Sequence, residues 1–220
     1  MKTNTNTEQP KPRPAEQRKQ EILAAAKHIF AQNGFRRTKI EQIAIHLGVG
    51  KGTLYRYFRD KKSLFLAVFE QGIAQLRQRF KANMEPIDNP PDKVAAAIKT
   101  YFEFFDNDRE LIEIQMQVRS EFKDEYRQVF MAMYSDYMVR IQDNLRSGIR
   151  MGIFRELDVE KTSEAISATL QGSLQSFYVR EFSDGKTAPN AETILEKPKE
   201  LLTDRIEAIT ALLLNGILKR

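Results

Sequence analysis

The tripeptide Gly48-Val49-Gly50 limits what this chain can fold into more than any other feature. Glycine takes positive φ where a side chain would be strained, so the tripeptide reads as a tight turn. It lies between two short runs with helical spacing. Before it, Ile40, Ile43, Ala44 and Leu47 form one inward face; after it, Leu54 and Phe58 form another. Val49 plugs the angle between the two. Short amphipathic helices that meet across such a turn make a helix-turn-helix unit. The second helix then turns outward Lys51, Gly52, Tyr55 and Arg56, with Thr53 and Tyr57 on its flanks.

The neighbouring residues fit this unit. From Ala15, the residues Ile22, Ala25, Ala26, Ile29 and Phe30 recur at helical spacing, and Asn33-Gly34 ends that first helix. Phe35 is expected to fold back onto the core. Thr38 reads as the N-cap of the second helix, with Glu41 completing a capping box. Asp60 reads as the cap of a fourth helix, whose first turn carries Lys61 and Lys62. Cations oppose the helix dipole there, and a nearby phosphate would resolve the conflict. Lys39 and Lys61 join Thr38 as phosphate-contact candidates.

Charge sharpens the assignment once it is divided. Residues 1–64 hold fourteen Lys/Arg against five Asp/Glu, a balance of +9, while residues 65–220 balance at −4. A basic head on a slightly acidic body calls for a polyanionic partner at the head, with nucleic acid the first choice. A membrane partner is not expected, because the outward face lacks bulky apolar residues. Nor is there a run of eighteen apolar residues, so no membrane span is expected; the absence of cysteine fits a reducing cytoplasm, and a DNA partner would place the protein at the nucleoid. Residues 1–14 are polar, proline-rich and basic, and read as a disordered arm able to reach a minor groove.

Cysteine is absent and only His28 and His46 occur, without metal-ligand spacing, so neither metal nor cofactor is expected. No nucleophile has a histidine partner and no glycine loop is suited to phosphate, so an enzyme is not expected. His28 reads as structural and His46 as solvated.

Beyond Leu64 the apolar spacing stays helical and period-two alternation is missing. Pro86, Pro90 and Pro91 mark a loop, followed by helices at roughly 92–107, 109–119, 122–151, 159–182 and 192–218. The fold class is all-α, with residues 15–64 as the helix-turn-helix domain and 65–220 as a helical body.

Thr38, Ile43-Ala44, Gly48-Val49, Gly52, Leu54-Tyr55-Arg56-Tyr57-Phe58, Lys61 and Leu64 resemble the DNA-binding domain of the TetR family of bacterial regulators. The resemblance covers about fifty residues. It implies a homodimeric, ligand-responsive transcriptional regulator, most commonly a repressor, binding a palindromic operator in double-stranded DNA. In such regulators an effector bound in the body loosens the grip of the heads. Tyr55 matches the family's phosphate-contacting tyrosine. An activator, or a nucleoid-type protein without a small-molecule effector, is the alternative.

The body carries its own signal. Phe102, Phe105, Met116, Tyr126, Phe130, Tyr134 and Met138, with Phe177 and Glu103, are candidates for lining an apolar effector cavity, since methionine repacks easily and aromatics line small-molecule sites. Along 159–182 a stripe of small residues, Ala165, Ala168, Gly172 and Ser176, permits close helix approach. The last helix carries Ile209, Leu213 and Ile217 in an apolar surface too wide for one neighbour, and the two stripes are expected to form a four-helix dimer interface.

Overall fold

The structure is a computed structural model that describes residues 15–182 and 201–219. The expected basic arm, the loop 183–191 and residues 192–200 of the expected last helix lie outside the described residues. Nine helices are described: α1 Ala15–Arg37, α2 Ile40–His46, α3 Lys51–Tyr55, α4 Lys61–Met84, α5 Pro90–Asn107, α6 Arg109–Glu121, α7 Lys123–Arg150, α8 Val159–Phe182 and α9 Leu201–Ile217.

The head forms around a dry centre. Ile22, Ala26 and Phe30 of α1, Ile43 of α2, Leu54 of α3, and Leu64 and Phe65 of α4 are all buried. Gly34 interrupts α1 at φ 78°, ψ 155°, and the chain resumes one further helical turn to Arg37. That break swings Phe35 back onto Phe30, Phe65 and Phe122, with ring centroids 6.1, 5.0 and 4.8 Å away. Phe122 belongs to the α6–α7 junction, so one aromatic cluster fastens head to body.

The capping of α2 differs from expectation. Its N-cap is Lys39, and the Gln42 side chain accepts from the Lys39 N–H at 2.7 Å. Thr38 instead turns inward, 1 % exposed, where its hydroxyl donates to the Gly34 carbonyl at 2.8 Å. A buried hydroxyl needs a partner, and the Gly34 carbonyl at the broken end of α1, which also accepts from the Thr38 N–H at 3.1 Å, supplies it. Gly48 takes φ 66° at the turn, as the sequence requires, and Asp60 accepts from Ser63 N–H at 2.7 Å to cap α4.

In the body, α4, α5, α6 and α7 pack around Phe69, Ile98, Phe102, Leu111 and Leu145. α8 lies on α7, and α9 lies along α5. Gly148 of α7 lets Phe154 seat against the helix, since a Cβ there would lie 2.0 Å from the ring. Beyond Phe154 the chain pairs with the end of α9, Arg155 N–H donating to Ile217 O and Lys219 N–H to Ile153 O, both at 3.0 Å. No described helix is long and apolar enough to cross a membrane.

Candidate DNA-reading face and effector cavity

On the outer face of α3, Lys51, Gly52, Tyr55 and Arg56 are exposed, while Thr53 and Tyr57 are half-buried. Tyr57 packs against the head core, so it serves the fold at least as much as the face. Gly52 has a decisive geometry. It lies in a helix at an ordinary φ, and a Cβ built there meets nothing within 4 Å. Neither backbone conformation nor packing among the described residues calls for glycine here, and the helix surface at this point is open to a close approach from outside. Ile45, 78 % exposed on α2, adds an apolar point beside the turn.

Lys51 pairs with Glu41 of α2. Hydrogen bonding to Lys51 holds the Glu41 carboxyl below its usual range, and the same bond raises the ammonium of Lys51. Both groups are charged at neutral pH and both are open to solvent, so the pair can be exchanged for a phosphate contact.

Two lysines do otherwise than expected. Lys61 Nζ donates to the carbonyls of Phe35 at 2.8 Å, Thr38 at 2.9 Å and Arg36 at 3.4 Å. It also sits 4.4 Å from the Phe35 ring centre. An ammonium has three hydrogens, and all three are engaged on the turn between α1 and α2. Lys62 pairs with Glu125 of α7 and lies over the Phe122 ring. These internal partners offset the unfavourable dipole at the start of α4. Of the expected DNA contacts, Thr38 is enclosed, Lys39, Tyr55 and Arg56 are exposed, and Lys51 is exposed but paired with Glu41.

The head is also tied to α6. Lys27 binds Asp108 at 2.7 Å, and His28 Nδ1 binds Glu110 at 2.7 Å. Gln117 accepts from Phe35 N–H at 2.8 Å and donates to Phe30 O at 3.3 Å. Arg36 reaches Glu121 at 2.8 Å. His28 thus has the structural role its place on the first helix suggested, while His46 is exposed with its ring centroid 5.9 Å from that of His28.

Among the described residues of the body, three adjoining voids have lining residues in common. A central one lies between Leu76, Phe80, Phe105, Phe130 and Tyr134. It meets a cavity of about 390 Å³ under α5 and α7 at Phe80, Tyr137, Arg140 and Leu170. It meets another, of about 380 Å³ against α6, at Tyr101, Gln115 and Gln171. Both outer chambers are within the ~300–1,000 Å³ common for small-molecule sites.

Of the expected lining residues, Phe105, Phe130 and Tyr134 face the central void, and Met116 and Tyr126 the α6 chamber. Phe102, fully buried, and Met138 fill the core and line none of the three. Glu103 is exposed and pairs with Lys99 at 3.8 Å, one turn away, because solvent outside α5 hydrates its charge. The side chain of Phe177 lies outside the described residues. Sequence reasoning missed the α4 wall of Ile73, Leu76 and Phe80, which periodicity marks only as core. It also missed Gln115 and Gln171, polar residues within otherwise apolar faces, and that interruption was their one visible signal. Among the described residues no group of His, Asp and Glu is placed to hold a metal.

The small stripe on α8 is exposed at Ala165, Ala168, Gly172 and Ser176. On α9 the expectation needs correction. Ile209 and Ile217 are buried in the protomer's own core and Leu213 is half-buried, whereas Leu212 is 66 % exposed. The helix turns its inner stripe to α5, which leaves Ala208, Ala211 and Leu212 outside.

Comparison with known proteins settles the family. Residues 22–68 match the model of the bacterial regulatory proteins of the tetR family, and residues 88–175 match a tetracyclin repressor-like C-terminal domain. The chain belongs to the TetR family of transcriptional regulators. Among its relatives, the fatty acid metabolism regulator protein of Bacillus subtilis is 26% identical over 163 residues, 73% of this chain and 84% of that one. FadR of Bacillus subtilis, solved with stearoyl-CoA, superposes with a TM-score of 0.70 at 24% identity over 90% of this chain and 98% of the other. A regulator from Saccharomonospora viridis, solved with choline, gives 0.71 at 21% identity, over 93% of this chain and all of the other. At these identities the two solved structures show a shared fold.

Proposed function

We propose that this TetR-family regulator is a homodimeric repressor whose α3 helices enter successive major grooves of a palindromic operator. An amphipathic effector with a long apolar part, of the acyl-CoA class, releases it. The observation that carries the reading is the double duty of α6. One face, with Gln117 and Glu121, is bonded to α1 of the head. The other, with Ile112, Gln115 and Met116, walls the cavity. A ligand that displaces α6 must therefore move the head or break these bonds.

Several features support the parts of this reading. The open Gly52 and the exposed Lys51, Tyr55 and Arg56 suit approach to DNA; arginine bonds a guanine edge bidentately and tyrosine donates to phosphate. Three adjoining voids in a row, the middle one only about 50 Å³, suit an extended ligand better than a compact one. Stearoyl-CoA, present in the Bacillus subtilis FadR structure, has that shape. The exposed small stripe of α8 and Leu212 of α9 supply apolar surface that a second copy would cover. A division at residues 15–64 and 65–220 is supported by α4, whose first turns pack in the head core and whose later turns wall the cavity.

Selection of genomic DNA fragments by the purified protein tests the reading. The expected result is a palindrome whose half-sites lie about one helical turn, ~34–36 Å, or a multiple of it apart. Uniform retention of all fragments would instead fit a nucleoid-type binder.

A further inference from the structure

Tyr101 stands where the central void meets the α6 chamber. It is 9 % exposed, and its ring is held edge-on by Phe102 and Phe105, with centroids 5.5 and 5.1 Å away. No described residue hydrogen-bonds its hydroxyl, and that oxygen is not sealed in the core but keeps surface open to the void. Burial pushes the phenol well above its ordinary value, so it keeps its proton and is a donor at any physiological pH. A phenol open to a void donates to whatever fills that void, water or an acceptor atom of a bound ligand. Gln115 and Gln171 line the same junction, and the Gln171 amide also donates to Ser167 at 3.0 Å. Tyr101, Gln115 and Gln171 therefore gather three polar side chains at this junction.

The two outer chambers differ in charge. The α6 chamber is lined by Arg119 and no carboxylate, and Arg119 is exposed with no ion-pair partner among the described residues. The α5–α7 chamber carries Glu85, Asp88 and Asp143 against Lys93 and Arg140. An anionic head is thus favoured at the first mouth and opposed at the second.

We propose that Tyr101, aided by Gln115 and Gln171, is a polar collar that binds the carbonyl of an acyl thioester. The anionic head group stays at the Arg119 mouth, and the acyl tail passes Phe80 into the α5–α7 chamber. This inference rests on the acyl-CoA reading above and adds to it a recognition group and a direction.

Calorimetry with palmitoyl-CoA and with its thioether analogue S-hexadecyl-CoA, which lacks the carbonyl, tests the collar. Tyr101→Phe keeps the ring and its packing. It is expected to weaken palmitoyl-CoA about tenfold, the value of one lost hydrogen bond, and to leave the thioether unchanged. Equal loss for both ligands, or loss for neither, overturns the collar. For direction, Arg119→Glu is expected to weaken palmitoyl-CoA at low salt while Lys93→Glu does not; the reverse pattern, or equal effects, overturns the stated orientation. If wild-type protein binds neither ligand, the acyl-CoA reading itself falls and the collar with it.

Discussion

Lys61→Met separates two accounts of one lysine. As a phosphate clamp, Lys61 would matter only when DNA is bound. In the structure its ammonium instead bonds three backbone carbonyls at the α1–α2 turn and caps the Phe35 ring. Methionine has similar length but no donor. A hydrogen bond to a charged donor is worth ~1.5–3 kcal/mol where its partner is buried. The site is only partly buried, and water can replace part of what is lost, so the net loss is about 2 kcal/mol. For a chain of this size that corresponds to a Tm lower by roughly 4–8 °C, readable by thermal melting without DNA. The slope of log affinity against log salt, measured by fluorescence anisotropy on operator DNA, is expected to keep its wild-type value. An unchanged Tm together with a slope shallower by about one would refute the argument and restore the phosphate contact.

Other substitutions address the remaining parts. Lys51→Ala and Tyr55→Phe are expected to weaken operator binding without lowering Tm, since neither side chain packs in the core; unchanged affinity at physiological salt would count against the docking. Gly52→Ala is expected to stabilise the head by about 0.5 kcal/mol through helix propensity. The same change is expected to weaken DNA binding, and a melting curve beside a binding isotherm reads both; retained affinity would mean that nothing approaches this glycine closely. Gly172→Arg, at an exposed position with open space around it, is expected to yield monomers in sedimentation without unfolding, and an intact dimer would move the interface elsewhere.

The head was legible in the sequence because local rules decide it. The Gly48 turn, the inward pairs of α2 and α3 and the Asp60 cap all follow from spacing and backbone preference. The lysines were not legible, since an ammonium on a carbonyl and one on a phosphate look alike until the chain has folded. Thr38 failed for a similar reason: cap preference favours it, but the broken end of α1 competes for its hydroxyl. In the body, aromatic density pointed to a cavity yet could not divide lining from core. Phe102 and Phe105 lie on one helix, and only packing of α4, α6 and α7 decides which meets a void. On α9 the spacing identified an apolar stripe, but its rotation about the axis, which sends Ile209 and Ile217 inward, is set by α5.

In the proposed mechanism, occupation of the cavity and grip on DNA oppose each other through α6. Titration of palmitoyl-CoA into the protein–operator complex, followed by anisotropy of labelled DNA, measures that opposition. The expected result is saturable release with operator affinity lowered about 5–150-fold, the range of typical allosteric coupling of ~1–3 kcal/mol. Gln117→Ala, which removes one α6–head link, is expected to shrink that ratio. Binding of palmitoyl-CoA by calorimetry with no change in operator affinity would contradict that mechanism.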